Sequence, residues 1–370
     1  MALHLRMGAR DVREALAKLD AGPSQSRLEE LRSLETDPLS PLRFALADKY
    51  SPLLKELTTL IEDYLSLAAR LEGVESAMVA KSVASWVFHT NKLEHVGTES
   101  LGDTEAIIAS RLPSLSTKEE KAVMRTFSLL QGYSPTSFRA KQPSLFVSFD
   151  PLRIKTWHLK LVDSVDGHVG EFRQDGRFTT RLDGTQHFFP HHDIQEWSVQ
   201  RLCQIVHSLL KSIPNQIQGH EARMGMCFAL AAFAQYHFVS LHPFEDGNGR
   251  ICRLLSKKLL EWVLPVPFPM FLDRNTYRKV LEEGDRASDA QTAPIPLFEL
   301  LLDSAIAHFK FLLSAYGDLQ PSDLVVATNL EQLQEVARKI GVGAGGPDNT
   351  AEAVPRAGLG SDLTQYPSSE

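Results

Sequence analysis

The chain has 370 residues, 43% hydrophobic and 23% charged, a balance that supports a sizeable core and excludes a wholly disordered protein. Lys+Arg 39 against Asp+Glu 46 leave a net charge of −7, with no long basic run, which argues against a grip on nucleic-acid phosphates. Cys203, Cys227 and Cys252 stand in apolar surroundings without CxxC spacing, so reduced, buried thiols and an intracellular, cytoplasmic protein are expected.

At the N-terminus Arg6, Arg10 and Arg13 precede no apolar signal core, so no secretory signal is expected. The longest apolar stretches, such as Cys227 to Ala234, read as too short to cross a bilayer, and no membrane role is expected. Residues 1–50 read as a helical leader of unassigned role, ending in the kinked linker Asp37-Pro38-Leu39-Ser40-Pro41, where proline interrupts any helix. Residues 51–316 read as the main helical unit. Leu53, Leu54, Leu57, Leu60 and Ile61, then Tyr64 and Leu65, recur at helical spacing, and a second such pattern runs through Val83, Trp86, Val87 and Leu93, with a break near Gly73. Ser116-Thr117-Lys118-Glu119-Glu120 has the form of a capped helix start, leading towards Leu130.

Pro151 to Val162 reads as another helix. Val169 to Arg181 then turns extended and β-branched around Asp175-Gly176, which predicts one β-hairpin over 169–181. Ile194 to Ile213 and Glu221 to Ser240 are helical. The second of these is apolar on nearly every face, with Met224 and Met226 as core fillers, so it belongs at the centre. After Arg250 an apolar stripe of Ile251, Leu254, Leu255, Leu259 and Trp262 marks a helix whose other face carries Arg250, Arg253 and Lys257. Leu297 to Leu313 is a further amphipathic helix, 317–340 holds a weaker C-terminal one, and the Gly- and Pro-rich 341–370 reads as a disordered tail. The fold class expected is mainly all-α, a bundle around a central buried helix with one hairpin.

The chemistry is concentrated in Leu241-His242-Pro243-Phe244-Glu245-Asp246-Gly247-Asn248-Gly249-Arg250-Ile251-Cys252-Arg253. Glycines let backbone N–H groups approach a ligand, and a helix N-terminus offers orphan donors, so this turn reads as an anion cradle suited to a phosphate chain. Arg250 and Arg253 can fork onto phosphate oxygens. Asp246 beside them suits Mg²⁺, which takes few protein ligands and completes its shell with phosphate and water. His242 can accept a proton from an attacking hydroxyl.

His242 to Arg253 resembles, at every defined position, the HPFx(D/E)GN(G/K)RxxR motif of the Fic domain family, and the resemblance extends over about Lys55 to Leu313. It implies a Fic-type helical fold and transfer of AMP from ATP to a Ser, Thr or Tyr hydroxyl of a target protein, or of the chain itself, with release of pyrophosphate. By that resemblance His242 would be the base and Asp246 would hold Mg²⁺ or Mn²⁺. Gly247, Asn248 and Gly249 would line the anion hole, and Arg250 and Arg253 would hold the β- and γ-phosphates. Tyr277 would lie near the adenine. Arg177, Phe178, Thr179 and Thr180 would form the flap that aligns an extended target segment by strand addition. Thr90 to His95 resembles the family's inhibitory motif (S/T)xxxE(G/N), on a helix at about 80–96, in which Glu94 would pair with Arg253 and deny it to the γ-phosphate. His95 departs from that motif, where Gly or Asn is usual. The implied partners are ATP and a target protein, with a homodimer as the family's frequent assembly. The same resemblance leaves open removal of AMP, another nucleotide or diphosphate donor, and a nucleotide-binding interaction module, against which the intact His242 and Asp246 argue.

Three other patterns carry less. Gly341 to Gly346 satisfies GxGxxG but follows a helix and runs into Pro347; His187, His191 and His192 lack ligand spacing and read as a solvated loop; no P-loop sequence occurs.

Overall fold

The computed structural model describes residues 39–70, 73–110, 117–130, 149–162, 169–287, 289 and 291–317. Most of the predicted leader, the predicted helix in 317–340, the tail and the Gly341 to Gly346 pattern lie outside the described residues.

The first helix, α1 (Ser51–Arg70), buries Leu54, Leu57, Ile61, Tyr64 and Leu67, the stripe that helical periodicity dictates. Gly73, at φ +84°, separates it from α2 (Val74–Lys92). A short helix, α3 (Leu101–Ser110), follows and escapes the periodicity, because Thr104 is its one buried residue. The predicted capping box opens α4 (Lys118–Ser128): Thr117 accepts from the Glu120 backbone and the Glu120 side chain returns the contact. Asp150 caps α5 (Pro151–Leu161) by accepting from Arg153 N, and Pro151 stands in the first turn, where its missing N–H costs nothing.

The hairpin lies further along the chain than 169–181. Strand β1 (Phe178–Thr180) pairs antiparallel with β2 (Gln186–Phe188), Phe178 opposite Phe188 and Thr180 opposite Gln186. The turn is therefore made by Asp183 and Gly184, not by Asp175 and Gly176. Gly184 adopts φ +82°, and the Asp183 carboxylate accepts from both the backbone and the hydroxyl of Thr185, a local bond that fixes the turn. Around the rejected turn the backbone is claimed instead by Arg173, described below.

Two long helices, α6 (Gln195–Gln216) and α7 (His220–Leu241), come next. Every residue from Met224 to Phe238 in α7 is buried, because α1, α6, α8 (Asn248–Leu260) and α10 (Ile295–Tyr316) all pack on it. Length does not exclude this helix from a membrane: it is long and apolar enough to cross one, and its burial inside the fold accounts for its composition. Between α8 and α10 stands α9 (Arg274–Asp285), capped by Asp273. The core also takes in part of the predicted leader. Leu39, Leu42, Ala45 and Tyr50 are buried, and Gly225 of α7 approaches so closely that a Cβ there would lie 2.9 Å from Leu54 Cδ1 and 3.3 Å from the Ala45 carbonyl oxygen. Cys203, Cys227 and Cys252 are free and buried, as expected.

Candidate active site

Helix α7 ends at His242, whose φ of +48° turns the chain out of the helix and into the loop before α8. Phe244 is fully buried and anchors that loop. Asn248 staples it: its Oδ1 accepts from Phe244 N at 2.9 Å and its Nδ2 donates to Phe244 O at 2.8 Å. The Asn248 side chain thus braces the loop with one bond from each of its polar atoms. Gly247, at φ +75°, occupies the N-cap of α8, and no side chain caps the helix. The first-turn amides are accordingly available to an anion.

Arg250 and Arg253 come off the first turns of α8 and are almost wholly buried. Arg250 Nη2 stands 3.4 Å from Asp246 Oδ2, Asp246 itself being exposed at the mouth. Arg250 Nε and Arg253 Nε and Nη1 are buried with no protein partner. Buried guanidinium N–H groups without partners are costly, and here they border a cradle whose natural guest is anionic. Tyr277 supports this wall: its ring lies 5.5 Å from the Arg253 guanidinium and its hydroxyl accepts from Gln235 Nε2 at 3.0 Å. It is buried.

The predicted inhibitory segment meets the cradle. Glu94 Oε1 accepts from Arg253 Nη2 at 2.6 Å, and the same nitrogen donates to the Thr90 carbonyl at 3.0 Å. Burial lowers the Arg253 pKa, but the Glu94 charge and hydrogen bond, together with Tyr277 and Cys252, outweigh it and hold the pKa above its ordinary value. Contact is possible because residue 249 is glycine: a Cβ there would lie 1.9 Å from Glu94 Oε1. The turn carrying Glu94 closes with His95 N donating to Lys92 O and Val96 N to Asn91 O, both at 3.1 Å. That is a Schellman closure, which needs a left-handed residue. His95 supplies it at φ +56°, doing what Gly or Asn does elsewhere.

His242 is pushed down to about 4 by burial, then by the charges of Arg173 and Arg177, with the Val239 carbonyl and Asp246 opposing. Its imidazole is neutral at pH 7 and free to take a proton. Phe189, just beyond β2, stacks on it at 4.1 Å. Of the predicted flap residues, Arg177 donates to Glu245 Oε2 at 3.1 Å and to the Glu245 carbonyl at 3.0 Å. Phe178, Thr179 and Thr180 form β1, exposed along its length.

Three residues that bind this site together were not singled out from the sequence. Arg173, buried, donates from Nε to the His242 carbonyl at 2.8 Å and from its backbone N to Pro243 O at 2.9 Å, and its other nitrogens reach the carbonyls of Asp175 and Pro190. It ties both ends of the predicted flap to the motif loop. Phe189 covers His242, and His158 of α5 contacts the loop from below. None belongs to a local motif, so only the fold could reveal them. His191, His192 and Asp193 do come together, with candidate ligand atoms within 4.8 Å of one another, although sequence spacing did not suggest it. Both histidines face the Asp193 carboxylate, at 3.3 and 3.4 Å.

Residues 148–260 match the model of the Fic/DOC family. A Fido domain-containing protein of Dictyostelium discoideum is 36% identical over 88 residues, 24% of this chain and 62% of that protein. The protein adenylyltransferase Fic of Nematostella vectensis is 22% identical over 273 residues, 69% of this chain and 57% of that protein. The chain thus spans about 60% of the length of these curated relatives. Among solved structures, a Fic domain-containing signalling protein from Bacteroides thetaiotaomicron superposes with a TM-score of 0.57 at 18% identity, covering 72% of this chain and 98% of that one. Fic-1 from C. elegans gives 0.50 at 20% identity, covering 83% and 85%. At these identities the likeness is one of fold. Helical bundle, central helix, motif loop and family model agree: the chain has a Fic-type helical fold, and its residues 148–260 match the Fic/DOC family.

Proposed function

We propose that the chain is a protein adenylyltransferase that moves AMP from ATP to a Ser, Thr or Tyr hydroxyl of a target protein, held in check by Glu94. The observation that carries the reading is the pairing at one cradle of a neutral His242 with buried arginine N–H groups lacking partners, one arginine being occupied by Glu94.

In this reading His242 takes the proton of the target hydroxyl, whose oxygen attacks the α-phosphorus. The bond from that phosphorus to the bridging oxygen breaks, and pyrophosphate leaves. First-turn amides of α8 and the Arg250 guanidinium bind the phosphate oxygens, so that positioning and charge stabilisation supply most of the rate. The donor set fits Mg²⁺ or Mn²⁺ bound together with ATP: Asp246 is an exposed carboxylate at the cradle's mouth, with Arg250 at 3.4 Å as its one ion-pair partner among the described residues. When bound, the metal neutralises phosphate charge. Arg253, once released by Glu94, completes the grip on the γ-phosphate. Until then ATP binds without its α-phosphate aligned for attack. The exposed flap strand supports alignment of an extended target segment beside β1. The buried free thiols support a cytoplasmic setting.

The test is incorporation of α-labelled against γ-labelled ATP, with Mg²⁺, by the parent chain, Glu94→Gly and Glu94→Gly/His242→Ala. Self-modification serves as readout. Label from the α-position alone, rising in Glu94→Gly and lost with His242→Ala, is the expected result. Label from the γ-position, or none in any variant, would overturn the transfer reading. Glu94 at the cradle's edge also favours a second reading, hydrolytic removal of AMP, in which its carboxylate orients water. Release of AMP from labelled protein by the parent but not by Glu94→Gly would identify that activity.

A further inference from the structure

His158 lies on α5, 88 residues before the loop it touches, and is 3% exposed. Its ring stacks face to face on Phe244, at 3.9 Å between centroids and an interplanar angle of 3°. Gly170 N–H donates to His158 Nδ1 at 2.9 Å. That nitrogen therefore carries no proton and Nε2 carries it. Nε2 is 3.0 Å from the Asp246 carbonyl oxygen and donates to it.

The consequence follows from peptide geometry. The Asp246 carbonyl and the Gly247 N–H belong to one planar trans peptide and point in opposite directions. With the carbonyl drawn towards α5, the Gly247 N–H is turned to the other side of the chain, where α8 begins. There is no slack in this contact, since a Cβ on Gly247 would lie 2.7 Å from Val162 Cγ2 and 3.4 Å from His158 Cδ2. We infer that His158 is a positioning residue: by holding the Asp246 carbonyl and stacking on Phe244 it sets the peptide plane whose N–H faces the phosphate chain, and with it the stance of the Asp246 carboxylate. The inference rests on the nucleotide reading above.

Three substitutions separate the contacts. His158→Phe keeps a ring on Phe244 and loses both hydrogen bonds. His158→Gln keeps a donor near the Nε2 position, and His158→Asn an acceptor near the Nδ1 position, while both lose the ring. Each is made in full-length Glu94→Gly, and calorimetry at 25 °C measures binding of ATP with Mg²⁺, with thermal denaturation confirming a folded sample. A lost hydrogen bond that leaves a buried carbonyl unpaired is expected to weaken phosphate binding by about 10-fold. The expected order of affinity is parent, then His158→Gln, then His158→Asn together with His158→Phe. A purely structural role predicts lower melting temperatures with nucleotide affinity unchanged in every folded variant, and that result would overturn the inference. So would equal affinity in His158→Gln and His158→Asn. Binding by Glu94→Gly without transfer defeats the transfer reading and leaves this comparison intact; no binding at all defeats both.

Discussion

Gly249→Ala should open the Glu94 lock. The added Cβ would stand 1.9 Å from Glu94 Oε1 and 2.7 Å from its Cδ, with Arg253 Nη1 at 3.2 Å. The carboxylate must retreat by more than ~1 Å to reach ordinary contact, which takes the 2.6 Å bond to Arg253 out of hydrogen-bonding range. A charge-assisted hydrogen bond of this kind is worth roughly 1.5–3 kcal/mol, so the open population rises about 10- to 100-fold. The helix itself does not suffer, because Gly249 is in α8 without a positive φ and alanine is the better helix former by up to ~1 kcal/mol. The assay compares α-label incorporation in the parent, Gly249→Ala, Glu94→Gly and the double variant. Gly249→Ala should rise towards the level of Glu94→Gly and not exceed it. The double variant measures whether the methyl group also harms the cradle, since no lock remains for it to open. If the double variant matches Glu94→Gly while Gly249→Ala stays at the parent level, the clash argument is wrong. A crystal structure of Gly249→Ala that keeps the Glu94–Arg253 contact near 2.6 Å would refute it whatever the activity.

Acidification should destabilise the fold. Burial pushes His89 and His242 down to about 4 and His308 to about 3, so between those values and 6.5 the unfolded chain binds more protons than the native one. Stability is therefore fully present above pH 6.5 and falls as pH drops through this window, by up to ~1.4 kcal/mol per pH unit for each histidine; urea denaturation that gives equal stability at pH 7 and pH 5 would contradict this. Arg177→Gln removes a positive charge that keeps His242 neutral, so the acid limb of transfer should move up from about 4, and label incorporation at pH 5 relative to pH 7.5 should fall below the parent ratio. His95→Gly relieves a left-handed residue at φ +56°, a gain of ~1 kcal/mol. Thermal denaturation should rise by a few degrees and basal labelling should drop, since the turn that presents Glu94 is firmer; a lower melting temperature would refute the strain.

What the sequence makes legible here is what local chemistry determines. The buried stripe of α1, the capping box of α4 and the largely apolar α7 follow from spacing and side-chain type alone. So does the motif loop, where proline, glycines and paired arginines stand within a few residues of one another. The misses share a different cause. Two Asp-Gly pairs, at 175–176 and 183–184, offer the same turn signal. The choice between them is made by Arg173, whose guanidinium binds the Asp175, Pro190 and His242 carbonyls and holds the first pair out of a hairpin. Helix α9 buries only Tyr277, Glu282 and Gly284, too few for an apolar period. Its Asp273 cap and its contacts to the flap hold it in place instead: Glu282 accepts from Leu182 N, and Asp285 pairs with Arg181. Glu94 and Arg253 were paired only by likeness to a motif, because no spacing rule links residues 159 apart. Gly249 shows the same limit from the other side. From sequence it reads as freedom for a backbone to approach phosphate, whereas in the folded chain the space beside it is filled by a carboxylate from α2's end. The glycine that would let a phosphate chain approach is therefore also what admits the Glu94 carboxylate, and the Gly249→Ala double variant separates the two roles.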